Sequence, residues 1–196
     1  MATTAAGTPY VEASDLVAGY PAVSLALANH IDGLDGGKVL QVVSTTKTDT
    51  FSATVGVGAN TAITGLTASI TPSATSSKIL VTYGVGGGLN AVSGNNGILT
   101  VLKRDSTAVS IGDEAGSRRR MTAGPGGAIG NPAVNSSSSA TFLDSPSTTS
   151  AITYSIDIGH TSGASQTVYV NRTDTDTNSS GYSRITSSIT LMEISA

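Results

Sequence analysis

From Lys38 to the C-terminus, apolar and polar residues alternate with a period of two, as in strands that bury one face. In "TAITGLTASIT", Leu66, Ala68 and Ile70 alternate with Thr67 and Ser69; in "KILVTYGV" the inward series is Ile79, Val81, Tyr83 and Val85. "AITYSIDI" repeats the pattern with Ile152, Tyr154, Ile156 and Ile158. "GILTVLKRD", "TAVSIG", "SATFLD", "QTVYVNR" and "ITSSITLMEI" read as further strands, separated by the turns "PSATSS", "RDST" and "SPSTTS". "KVLQVVST" is different. Val39, Gln41 and Val43 fall on one face and Leu40 and Val42 on the other, which predicts a strand buried on both sides. About eight or nine short strands at near-regular spacing predict an all-β chain, an antiparallel β-sandwich of jelly-roll type. Between Gly112 and Ala140 the alternation stops, leaving one long Gly- and Ser-rich excursion.

The first 37 residues follow another rule. Pro21 suits the first position of a helix, and Gly33 after Asp32 suits its end. Between them Val23, Leu27 and Ile31 recur every fourth residue, and Leu16 and Tyr20 extend that stripe backwards. A helix of about twelve residues is marginal alone, because nucleation is costly, so it must pack on something. The expected organisation is an N-terminal anchoring or oligomerisation segment, 1–37, followed by a sandwich domain, 38–196.

Composition sharpens this reading. Charged residues make up 12% of the 196, about half the usual ~25%, so the surface must draw its polarity from 28 Ser and 28 Thr. Thr and Val favour strands, and Gly, Ser and Asn favour turns. With a net charge of -3 and 10 Lys and Arg, nucleic-acid binding is not expected, because counterion release needs clustered cations. No cysteine is present, so neither disulfides nor thiolate metal sites are available. The start carries no Lys or Arg before Lys38, and no run approaches the ~18 apolar residues of a membrane span. The expectation is synthesis in a cytoplasm with no membrane association.

Chemistry is sparse, and neither enzyme activity nor a cofactor is expected. His30 lies near the end of the leader helix, where a cation suits the helix dipole. His160 sits three residues after Asp157, but no G-x-S-x-G accompanies it, and a solvated loop position is expected. Asp174, Asp176 and Asn178 have calcium-loop spacing, yet Gly181 comes two places late and Ile185 stands where a bidentate Glu is needed. That stretch reads as a polar turn. "GVGGG" reads as a turn or bulge, lacking the Lys-Ser/Thr of a phosphate loop. Arg118, Arg119 and Arg120 form the one dense cationic run, expected to pair with Asp113 and Glu114 or to contact a neighbouring subunit.

The blocks "GKVLQVVSTTKTDTFS", "GLTASITPSATSSKILV", "LKRDST", "LDSPSTTSAITYSI", "TVYVNR" and "SSITLMEIS", in that order, resemble a β-sandwich module of tailed-bacteriophage virion proteins, found at tail-fibre ends and in small head-surface proteins. The match covers roughly residues 38–196, and "TPYVEASDLVAGYPAVSLALANHID" is similar to the segment that precedes the module. The resemblance implies a non-enzymatic homotrimer on the virion surface, held to capsid or tail by Leu16, Tyr20, Val23, Leu27 and Ile31. With only about 37 residues before the module and no shaft, a compact head decoration is favoured over a long fibre. The alternative is a short tail-fibre or receptor-binding protein gripping host polysaccharide, with Tyr154, Tyr169 and Tyr182 as the contacts.

Overall fold

The structure, a computed structural model, describes residues 2–3, 9–10, 24–27, 39–90, 96–125 and 133–195. The chain divides into two compact units, Met1–Lys38 and Val39–Ile194. In the first, β1 (Ala2–Thr3) pairs antiparallel with β2 (Pro9–Tyr10), and residues 24–27 are helical. Leu27 is half-buried there and Leu25 exposed. Leu16, Tyr20, Val23, His30 and Ile31 lie outside the described residues.

The second unit is an antiparallel β-sandwich. One sheet orders β5 (Thr61–Ile70), β10 (Ile152–His160), β7 (Ile98–Arg104) and β8 (Thr107–Val109). The other is built around β6 (Lys78–Leu89), whose one edge pairs with β9 (Ser136–Asp144). Its other edge is shared. β12 (Ser187–Ile194) takes Lys78–Gly84, and β11 (Gln166–Val170) takes Gly87–Leu89. Outside these lie β3 (Val39–Lys47), on β12, and β4 (Phe51–Val55), on β11.

Asn171 splices the two halves of that sheet. Its buried amide donates to the carbonyls of Lys47 and Asp49 at 2.8 and 2.9 Å, and its oxygen accepts from Ser187 Oγ at 2.6 Å. It sits at φ 62°, a left-handed conformation that Asn tolerates better than most residues.

The alternating residues meet between the sheets. Leu66, Ile70, Leu102, Ile156 and Ile158 from one face Ile79, Val81, Ile189 and Leu191 from the other, all buried. Hydroxyls and carboxylates tie the layers within this core. Tyr83 Oη and Ser138 Oγ each lie 2.8 Å from Thr100 Oγ1. Tyr154 donates to Asp144 at 2.7 Å, and Arg104 closes on both oxygens of the same carboxylate at 3.0 and 2.9 Å. A buried polar group without a partner is costly, so these bonds restrict how the sheets can slide.

Several expectations need correction. β3 is an edge strand, paired with β12 alone, and Val39, Leu40 and Val42 are exposed because no second layer covers their face among the described residues. β4 was not anticipated. "GVGGG" continues β6 instead of turning. A β-carbon at Gly87 would overlap the Tyr169 carbonyl oxygen and come within 2.9 Å of its carbonyl carbon, so glycine is there for close approach of β11. The Gly/Ser excursion is shorter than expected. β9 begins at Ser136, and Thr122 and Ala123 return to hydrogen-bond the Thr100 carbonyl at 3.0 and 3.2 Å.

Glu193 is buried in β12, where its Oε1 accepts from Ser73 N and Oγ at 2.7 and 2.6 Å and its Oε2 from Gln41 at 2.6 Å. Burial pushes this carboxyl up, but hydrogen bonds from Ser73, Gln41 and Ser77 outweigh it and hold the pKa at about 2, against an ordinary 4.5. A depressed folded-state pKa gives stability that is full above 4.5 and lost as pH falls toward about 2. Urea midpoints measured across that range should fall in the wild type. Glu193→Gln should be less stable at neutral pH and show a flatter acid limb. An unchanged limb would assign it to other carboxylates.

Candidate functional site

The open end of the sandwich brings together two features that lie far apart in the sequence, His160 and the arginine run. His160 closes β10 on its inward face. It is buried, which corrects the solvated-loop expectation. A carbonyl oxygen only accepts, so the 2.8 Å contact of Nε2 with the Val55 carbonyl fixes the proton on Nε2. Nδ1 is then left buried without a partner among the described residues. Asp157, three residues earlier, faces the opposite side of the strand and pairs with Lys103 at 2.6 Å. The two groups therefore do not form a catalytic pair with each other.

The arginines do not pair with Asp113 or Glu114 either. Arg119 reaches across the sandwich mouth, donating to the His160 carbonyl at 2.7 Å, to the Ala59 carbonyl at 2.8 Å and to Asn60 Oδ1. Arg120 donates to the Gly112 carbonyl at 2.6 Å, and Arg118, exposed, makes a 3.4 Å contact with the Ala115 carbonyl. Arg118 and Arg120 meet main-chain oxygens of their own loop, at Ala115 and Gly112, while Arg119 meets those of Ala59 and His160 beside β5 and β10. Burial pushes the Arg119 guanidinium below its ordinary pKa.

Around them lies an open depression of about 510 Å³, lined by Val57, Gly58, Leu99, Ser117, Arg118, Arg119, His160, Thr161, Ser162 and Gly163. Val57 and Leu99 were not singled out in the sequence. Val57 follows β4, and a side chain at the rim of a strand end carries no periodic signal.

Of the three candidate glycan tyrosines, one lies in the core and two are partly exposed. Tyr154 is fully buried with its hydroxyl on Asp144, and burial followed by that carboxylate raises its pKa. It is a core residue and contacts no external ligand. Tyr169 is half-buried under the Arg172 guanidinium, 4.4 Å from the ring centroid. Tyr182 lies with Asp176, Asn178 and Arg184 around a separate hollow of about 290 Å³. Asp176 there is taken by Arg184 at 2.8 Å and by Arg172 at 3.6 Å, which removes one of the two carboxylates of the calcium-like spacing. No group of three His, Cys, Asp or Glu is placed to hold a metal among the described residues.

A different surface lies on the outer face of the β6 sheet. Register aligns Thr46, Ser188, Gly84 and Ser139 in one cross-strand row, and Ser44, Thr190, Thr82 and Thr141 in the next. The row after these is Val42, Met192, Leu80 and Leu143, wholly apolar across four strands. Val42 is 55% and Leu143 48% exposed, and Leu40 and Val39 widen the row at the β3 edge.

No protein-family model matches the chain, and no curated protein matches it. Among solved structures it is similar to the infectious bursal disease virus VP2 subviral particle, at 15% identity and a TM-score of 0.38. It is likewise similar to the structure of the Gx strain of that virus, at 15% identity and a TM-score of 0.34. Each match covers 82% of this chain, and the chain spans 40% of the length of each of those chains.

Proposed function

We propose that this chain is a non-enzymatic structural protein of a bacteriophage virion: a trimeric surface knob or head decoration held to the particle by its N-terminal segment. The observation that carries the assembly reading is the row Val42, Met192, Leu80 and Leu143 on a sheet face whose neighbouring rows are Ser and Thr. A contiguous apolar row of this kind, exposed at Val42 and Leu143 and half-exposed at Met192 and Leu80, marks a contact surface. A second copy of the chain covers it in the trimer, and the leader stripe serves the particle. The ordered sequence blocks shared with phage sandwich modules support the virion setting. A cysteine-free body braced by buried bonds at Asn171, Asp144 and Glu193 suits a protein that must persist outside a cell.

Native mass spectrometry, circular dichroism and decoration of particles lacking the protein test this together. The full chain should be a trimer that decorates. The double variant Val42→Ser/Leu143→Ser should keep its β spectrum and fall to monomer, since each apolar side chain of this kind is worth ~1.5–3 kcal/mol when fully buried. Leu27→Asp should remain a folded trimer and fail to decorate, as should a chain lacking residues 1–36. A full-length monomer at working concentration would sink the trimer reading. Full occupancy by the truncated chain would sink the anchor.

A further inference from the structure

We propose that the depression at the open end of the sandwich is a binding site for an acidic sugar of the hexuronate class, its carboxylate taken by Arg118 and its ring resting on Val57 and Leu99. The volume, about 510 Å³, falls within the ~300–1,000 Å³ of small-molecule sites. Charge selects the ligand. Two guanidiniums line the depression, and among the described residues no Asp or Glu does. Arg119 is spent on three neutral acceptors that fix it in place, while Arg118 keeps one long contact and most of its N–H donors open. One open guanidinium matches one carboxylate, which it grips with two parallel bonds. A phosphate, carrying more charge, would call on both arginines.

The remaining walls suit a sugar ring. Val57 is 62% exposed and offers an apolar surface to ring C–H groups, and Ser117 and Ser162 bring hydroxyls to the rim. The site is also braced. A β-carbon at Gly159 would come within 2.5 Å of Asn60 Oδ1 and 2.7 Å of Arg119 Nη2, so glycine there leaves room for the arginine that joins the start of β5 to the end of β10. This inference is independent of the attachment reading: a particle protein with an empty end pocket would still decorate.

Saturation-transfer NMR on the full-length protein, with glucuronate, glucose and acetate as separate probes, tests it. Glucuronate should receive saturation at its ring protons with a millimolar dissociation constant, weakening as NaCl rises from about 0.05 to about 0.5 M. Glucose should receive none, and acetate should compete weakly. Arg118→Gln should keep the wild-type melt, because the side chain is exposed, and lose about tenfold in affinity. Val57→Asp, which sets a negative charge beside the carboxylate, should lose binding too. Lys78→Gln makes the same charge change at the far end of β6 and should bind as wild type. Equal saturation of glucose and glucuronate, acetate competing as well as glucuronate, unchanged binding by Arg118→Gln, or no transfer to glucuronate would each overturn the proposal.

Discussion

Leu191→Asp is expected to abolish the cooperative melt of the sandwich or to lower its midpoint by about 10 °C or more. Leu191 is fully buried at the centre of β12, between Val43 of β3 and Val81 of β6. The substitution removes ~1.5–3 kcal/mol of apolar burial and strands a carboxylate whose unpaired burial costs about 3–5 kcal/mol. Together these approach the ~5–15 kcal/mol that holds a domain of this kind. In a chain of this length each kcal/mol moves the midpoint by roughly 2–4 °C, so calorimetry reads the effect directly. A variant melting with the wild type would mean that position 191 does not face the core.

Gly87→Ala should be the most damaging methyl addition on β6. Gly87 pairs with Val170 on one side and Ser136 on the other, so the strand cannot move away from either neighbour. The added carbon meets backbone of Tyr169 and Val170, and backbone does not rotate aside. Overpacking ordinarily costs ~1–3 kcal/mol, and this site should lie at or above the top of that range. Gly84→Ala on the same strand provides the control, because no atom lies within 4 Å of its added carbon. Equal melting of the two variants would show that β11 does not cross β6 where the register places it.

The periodic strands were legible because burial on one face leaves a mark at every second residue. Ile79, Val81 and Tyr83, or Ile152, Tyr154 and Ile156, declare their faces before any partner is known. The glycan alternative made Tyr154 a contact candidate although its place in the alternation already set it inward, because a phenol is equally at home at a rim or in a core that supplies an acceptor. Asp144, ten residues earlier in the chain and on a strand of the other sheet, is that acceptor. Local pattern held no sign of it.

The end depression was half legible. His160 and the arginine run stood out as rare chemistry, but nothing in their spacing brought them together. Residues 119 and 160 meet where the Arg119 guanidinium reaches the His160 carbonyl, a matter of chain path and carbonyl supply. Of the two expectations for the arginines, Asp113 and Glu114 or a neighbouring subunit, the first fails, because their side chains hold main-chain oxygens instead.

The amino-acid sequence by itself determined the strand-rich class, the inward residues of most strands, the tight "RDST" turn and the absence of disulfides. Each follows from period, local conformational preference or composition, which act over a few residues. Tertiary structure alone decided that β3 lies at an edge with Val42 uncovered, that β6 takes two partners along one side and needs Gly87 there, and that Glu193 finds Ser73 and Gln41. These depend on which distant strand arrives alongside, and a hydrogen-bond ladder can be completed by any strand that fits.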